Sequence, residues 1–150
     1  MIDQYDGDMA FILGLDGGQI IYSGGQPVMD AGGLENAVNI SLFTDLSWWA
    51  NALFDNNPDL QVGSDFETRA KPKAINNNYL RDLEDAARTA LQWMINFKIA
   101  RAVTADATWP ELNTVMLEIL IEKMDGENVT RRYELSWENG FLYPVTAEVK

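Results

Sequence analysis

Apolar and polar positions change rhythm twice along the chain. From residue 9 to 33 short apolar pieces, "MAFILGL", "QIIY" and "PVM", alternate with the doublets Gly17-Gly18, Gly24-Gly25 and Gly32-Gly33, the punctuation of short strands and tight turns. The doublets lack the further glycine and aspartate of a calcium-binding repeat, so turn formation is the better reading. The period then becomes helical. Leu34, Ala37, Val38, Ser41 and Leu42 recur at helical spacing, which predicts a helix starting near Asp30 or Gly33 and ending near Asp45. A longer helix is predicted after the Asn76-Asn77-Asn78 run, where an asparagine side chain can accept a hydrogen bond from a first-turn amide. Its inner face reads Leu80, Leu83, Ala87, Ala90, Leu91 and Met94, continuing to about Phe97 or Ile99, with Glu84 and Arg88 on its wet side. Residues 46 to 75 between the helices are turn-rich, and a loop of that length is usually functional.

Beyond about Ala102 the period falls to two. In "TVMLEILIEK" Val115, Leu117, Ile119 and Ile121 share a face; in "NVTRRYELSW" Val129, Tyr133, Leu135 and Trp137 do, with Arg131 intruding. Parity selects the register. A two-residue Asp125-Gly126 turn sets the apolar set of one strand beside the polar set of the other. A three-residue loop of Met124, Asp125 and Gly126, with glycine in the left-handed position, pairs Leu117 with Tyr133 and Val115 with Leu135. It also sets Glu118 opposite Arg132 as a cross-strand ion pair. The expected architecture is α+β: one domain over 1–150, a small antiparallel sheet with a C-terminal β-hairpin packed against two main helices, and an extended tail over 139–150.

Composition narrows the function. A chain of 150 residues suits one domain with its own core, and 11 basic against 23 acidic residues give a net charge of −12, which repels nucleic acid and anionic membranes. There is no cysteine and no histidine, which excludes thiolate and histidine nucleophile dyads and the usual zinc sites. The amino terminus lacks the basic start and long apolar run of a signal peptide, so a protein made in a cytoplasm is expected. A carboxylate pair cleaving a glycoside stays open as an alternative, because 23 acids always offer some suitable-looking pair. Two calcium-loop look-alikes fail: "DQYDGD" has tyrosine at its third position, and the loop from Asp55 has Leu60 where glycine must bend and Phe66 where a bidentate glutamate belongs. No cofactor, metal or small-molecule substrate is expected.

The run "DAGGLENAVNISLFTD", then "WW", "GSDFETRAKPK" and the helix "ARTALQWMI", resembles the small baseplate protein of Mu-like contractile phage tails. The likeness spans about Met9 to Trp137. That family is related to wedge proteins of other contractile injection systems, early members of which were labelled lysozyme-like. The resemblance implies a structural, non-enzymatic part of the baseplate wedge of the virion, beside the tail tube hub and first sheath ring. Other wedge, hub and sheath proteins would be its partners. The Glu-Pro-Arg motif of the more distant wedge relatives is not found here, so contacts made through it do not carry over.

Trp48 and Trp49 are the first candidate partner-binding residues. Adjacent side chains diverge on any regular element, so Trp49 is expected in the core and Trp48 against a partner or the long loop; the alternative is that both cap the core. Arg69, Lys71 and Lys73 form a basic cluster suited to an acidic partner surface, or else a solvated loop. The stretch "GFLYPVTAEVK", with Phe141, Leu142 and Tyr143, reads as a strand donated to a neighbour's sheet, or else an edge strand of its own domain. A small regulatory binding module acting through the Trp48 region is the remaining alternative.

Overall fold

The computed structural model describes residues 8–9, 11–14, 17–20, 22–27, 29–30, 34–71, 74–138 and 141–147. Among the amino-terminal residues three short antiparallel ladders form. They are β1 (Asp8–Met9) with β6 (Met29–Asp30), β2 (Phe11–Gly14) with β3 (Gly17–Ile20), and β4 (Tyr22–Ser23) with β5 (Gln26–Pro27). Of the glycine doublets, Gly24-Gly25 make a turn as expected, Gly17-Gly18 stand in a strand instead, and Gly32-Gly33 lie outside the described residues. Gly24 and Gly25 join β4 to β5 with φ of 59° and 79°, the paired left-handed conformation that a two-residue hairpin turn requires.

Helix α1 spans Leu34–Phe43. Asp30, one of its two predicted starts, stands in β6 instead, and Gly33 lies outside the described residues. A short helix, α2 (Phe66–Arg69), precedes α3 (Asn77–Ala90), which is capped as expected: Asn76 Oδ1 accepts from the Tyr79 amide at 2.9 Å. The long helix stops earlier than its apolar spacing suggests. Leu91 leaves helical geometry, α4 (Gln92–Asn96) adds a little over one turn, and Lys98 closes it at φ 58°. The Ile99 amide then donates to Met94 O at 2.8 Å and the Lys98 amide to Ile95 O at 3.1 Å, a Schellman closure made without glycine. Phe97 and Ile99 consequently face solvent, which corrects the expectation that the inner face ran through them.

The remaining strands form one four-stranded antiparallel sheet in the order β10-β9-β8-β7, from β7 (Ala100–Glu111), β8 (Thr114–Lys123), β9 (Asn128–Glu138) and β10 (Phe141–Ala147). The β8–β9 register is the one parity selects: Leu117 opposes Tyr133, Val115 opposes Leu135 and Glu118 opposes Arg132. The Glu118–Arg132 ion pair forms, and Gly126 takes φ 93° in the connecting loop. The alternating strands bury one face, including Ala105, Ala107, Leu117, Ile119 and Leu135, against Val38 and Leu42 of α1 and Leu83, Ala86, Ala87 and Ala90 of α3. Alanines on both α3 and β7 let helix and strand approach closely.

Two departures concern the sheet edges. Glu84 is half-buried and not simply solvated: its Oε1 accepts from the Ala107 amide at 2.9 Å, occupying a donor of the edge strand β7 that no neighbouring strand pairs. Arg88 does stay outside, paired with Asp85. At the other edge, residues 141–147 are not a free tail. Their backbone pairs with β9 along its length, from Phe141 opposite Glu138 to Ala147 opposite Arg132, so the edge-strand alternative replaces the donated strand.

Helix α1 is tied down by polar contacts as well as packing. Arg131, the intruder on the apolar face, reaches Glu35 at 3.2 Å, and the Tyr133 hydroxyl donates to Asn39 Oδ1 at 2.5 Å, so residues one turn apart on α1 meet alternate residues of β9. Trp93 Nε1 donates to Ser41 Oγ at 2.9 Å from α4. Phe43 meets the rings of Phe66 and Tyr133 edge-on at 5.6 and 5.4 Å.

Burial pushes the Tyr133 hydroxyl up to about 12, and burial also raises Tyr79, whose hydroxyl donates to Ala70 O at 3.0 Å. The unfolded side chain titrates near 10.0, so the folded chain holds these protons more tightly. The stabilisation is complete below about pH 10 and is lost as pH rises toward about 12. Tyr133→Phe should therefore flatten part of that alkaline fall in urea-denaturation midpoints, while lowering stability at pH 7 by about 1 kcal/mol through the lost hydrogen bond.

Candidate protein interface

Residues 46 to 62 form a closed loop of irregular backbone, and one buried side chain organises it. Asn51 Nδ2 donates to Leu46 O at 3.1 Å and Val62 O at 2.8 Å, while its Oδ1 accepts from the Val62 amide at 2.9 Å. Both ends of the loop are thus held to a single amide side chain that is 4% exposed. Between them a 3-10 helix runs over Trp49–Phe54 and another over Pro58–Leu60, with Gln61 Nε2 reaching Asn51 O and Phe54 O at 3.4 Å. The entry turn is set by Asp45, whose Oδ1 accepts from the Ser47 amide at 2.8 Å. Hydrogen bonds from Ser47, hydroxyl and amide, hold the Asp45 carboxyl below the usual carboxylate range, and the charge of Lys71 adds to this.

The exit is pinned to the core. Gly63 takes φ 93°; the Ser64 amide donates to Thr44 O at 2.9 Å and its hydroxyl to Ser41 O at 2.6 Å. Ser64 Oγ also accepts from the Phe66 amide at 3.2 Å, and Phe66 is fully buried. The loop is therefore a rigid feature built on α1.

What this rigid loop displays is apolar. Leu46, Trp48, Trp49, Leu53, Phe54, Leu60 and Val62 are all exposed, while the small Ala50 and the polar Asn51 are buried. The residue order is the reverse of a soluble surface loop, in which large apolar groups turn inward. Trp49 is 73% exposed and Trp48 42%, their rings tilted against each other at 5.9 Å. This overturns the assignment of Trp49 to the core. The physical reason is the short 3-10 helix that begins at Trp49: its inward positions go to Ala50 and Asn51, because the amide of Asn51 is needed to satisfy buried loop backbone. A smaller apolar display, Trp109 and Leu112, lies at the β7–β8 turn, where periodicity carried no warning of it.

Two of the three residues of the basic cluster are described. Arg69 is engaged by Asp82 at 2.5 Å, which raises its pKa; Lys71 is exposed, and Lys73 lies outside the described residues. Phe141, Leu142 and Tyr143 contribute backbone to the domain's own sheet. Among the described residues no group of three or more acidic side chains is placed to hold a metal ion, and no helix is long and apolar enough to cross a membrane.

Comparison with known proteins places this loop inside a recognised family. The profile of the family described as phage protein GP46 matches residues 34–128, from α1 into β9. The chain belongs to the phage protein GP46 family. Among curated proteins, the Mu-like prophage FluMu protein gp46 of Haemophilus influenzae is 34% identical over 110 residues, covering 69% of this chain and 78% of that protein. No solved structure matches the chain. The part matched to the GP46 family contains the whole 46–62 loop, its anchors Thr44 and Ser64, and the β7–β8 hairpin; the six amino-terminal strands lie before it.

Proposed function

We propose that this GP46-family chain is a structural, non-enzymatic component of a contractile-tail baseplate, assembled into the wedge near the tube hub and first sheath ring. In this reading it docks onto neighbouring tail proteins through the 46–62 loop. The observation that carries the docking role is the pairing of a rigid backbone with an exposed apolar display: seven large apolar side chains on a loop fixed by Asn51, Gly63 and Ser64. A displayed surface of this kind loses little conformational entropy on binding, and clustered apolar exposure marks interaction sites. Family membership supports a phage role, and the resemblance to Mu-like baseplate proteins supports the place within the tail. Hydrolysis finds no comparable support: among the described carboxyls, Asp45 and Asp125 carry a resolved shift and both move down, whereas a general acid must be raised.

The test is a pull-down of the purified chain against each of the other tail proteins encoded with it, alongside the double variant Trp49→Ser/Leu53→Asn. Both side chains are more than 70% exposed, at 73% and 72%, so the variant should fold with unchanged stability and lose at least about tenfold in binding. Binding equal to the parent's would remove the loop from the interface. Truncation after Asn139 is not a clean probe of a tail, because it deletes β10 from the sheet.

A further inference from the structure

The chain's charge is distributed very unevenly around this loop. All 11 lysines and arginines lie at or beyond Arg69, so every charged side chain before that point is acidic. In sequence, Asp45, Asp55, Asp59, Asp65 and Glu67 fall within and beside the 46–62 stretch with no basic residue between them, and of these Asp55, Asp65 and Glu67 are exposed. The nearest cations in sequence, Arg69 and Lys71, stand at the exit side: Arg69 is paired with Asp82 and also feels Asp65, and the exposed Lys71 acts weakly on Asp45, so Asp55 is the exposed carboxylate of the display that neither of them reaches.

From this we infer that the partner of the 46–62 loop is a protein surface presenting arginine or lysine side chains around an apolar centre. The inference rests on the docking role proposed above and adds the chemistry of the occupant. Apolar area supplies affinity at the centre of such an interface, and complementary charge at its rim sets partner choice and association rate. The exposed Asp55 follows directly after the helix that carries Trp49 and Leu53, so an arriving cation meets a carboxylate beside aromatic faces. The tilted Trp48–Trp49 pair offers such faces, on which a guanidinium can also lie. The same charge selects against other occupants. A second copy of this loop brings carboxylates against carboxylates, and an anionic lipid surface or a nucleic acid is repelled by the acidic rim.

The experiment uses the full chain against the other tail proteins, each purified singly, with affinity measured at 50 and 500 mM NaCl. Asp55→Asn/Asp59→Asn is compared with Trp49→Ser/Leu53→Asn. A benzophenone amino acid at position 53 identifies the contacted peptide by mass spectrometry after illumination. The expected result is parent binding that weakens about tenfold or more at high salt, an Asp55→Asn/Asp59→Asn variant about tenfold weaker at low salt with a flattened salt response, and a cross-linked peptide containing arginine or lysine beside apolar residues. Binding lost in Trp49→Ser/Leu53→Asn but indifferent to salt and to the aspartates overturns the basic partner and leaves the docking role standing. Binding unaffected by Trp49→Ser/Leu53→Asn, or absent with every tail protein, overturns the docking role itself. A concentration-dependent dimer in sedimentation, abolished by Trp49→Ser/Leu53→Asn, also overturns the basic partner by assigning the surface to a second copy.

Discussion

Gly63→Ala is expected to lower the thermal unfolding midpoint by about 10 °C, from a loss of about 3 kcal/mol. Two costs combine. Gly63 has φ 93°, a conformation L side chains rarely adopt, and a Cβ there would stand 2.3 Å from Thr44 O. That oxygen belongs to backbone and already accepts from the Ser64 amide, so it cannot yield without breaking the tie between the loop and α1. Retreat on the other side is blocked too: Ser64 is bonded to Ser41 O, and Phe66 is locked in the core against Phe43. The strain must therefore appear in global stability. Differential scanning calorimetry checks it, and a midpoint within about 2 °C of the parent would mean that the loop exit is softer than its hydrogen bonds imply.

Asn51→Ala removes the side chain that satisfies Leu46 O, Val62 O and the Val62 amide together. Alanine leaves those groups without their partner, at a cost of about 3 kcal/mol if they stay buried. The cheaper outcome is that water enters and the 46–62 loop opens locally. The expected signature is amide hydrogen exchange at Val62 accelerated by about a hundredfold, with β8 and β9 little affected. Partner binding should weaken although Asn51 itself is buried, because the display loses its rigid base. Unchanged exchange at Val62 would assign the loop's order to the Ser64 ties alone.

Legibility in the sequence followed the range of the physics involved. The β8–β9 register was readable because parity allows only one loop length to put Leu117 and Tyr133 on the same face. The α3 cap was readable because the acceptor and the amide it serves are three residues apart. Glu84 was misplaced because its partner, the Ala107 amide, is 23 residues away on a strand edge that periodicity cannot show. The early stop of the long helix was missed because apolar spacing continues through Phe97 and Ile99 while Lys98 adopts a left-handed conformation that residue type does not announce. The division of the tryptophan pair into an inner and an outer member fails, because both rings are exposed. A polar neighbour, Asn51, outcompeted an indole for the inward position, and the demand for that amide comes from backbone groups at Leu46 and Val62.

By itself, the sequence determined what is local or periodic in this protein. That includes the α+β class, the paired strands around Gly126, the two main helices, the acidic charge, the absence of cysteine and histidine, and the motifs that resemble a Mu-like baseplate protein. Only the tertiary structure decided which apolar residues of the 46–62 loop are displayed, that Arg69 is spent on Asp82, and that residues 141–147 pair within their own sheet. The physical reason is common to all three. Burial, ion pairing and edge pairing are settled between groups distant along the chain, by competition for a limited number of inward positions and backbone partners, and no window of residues contains both competitors.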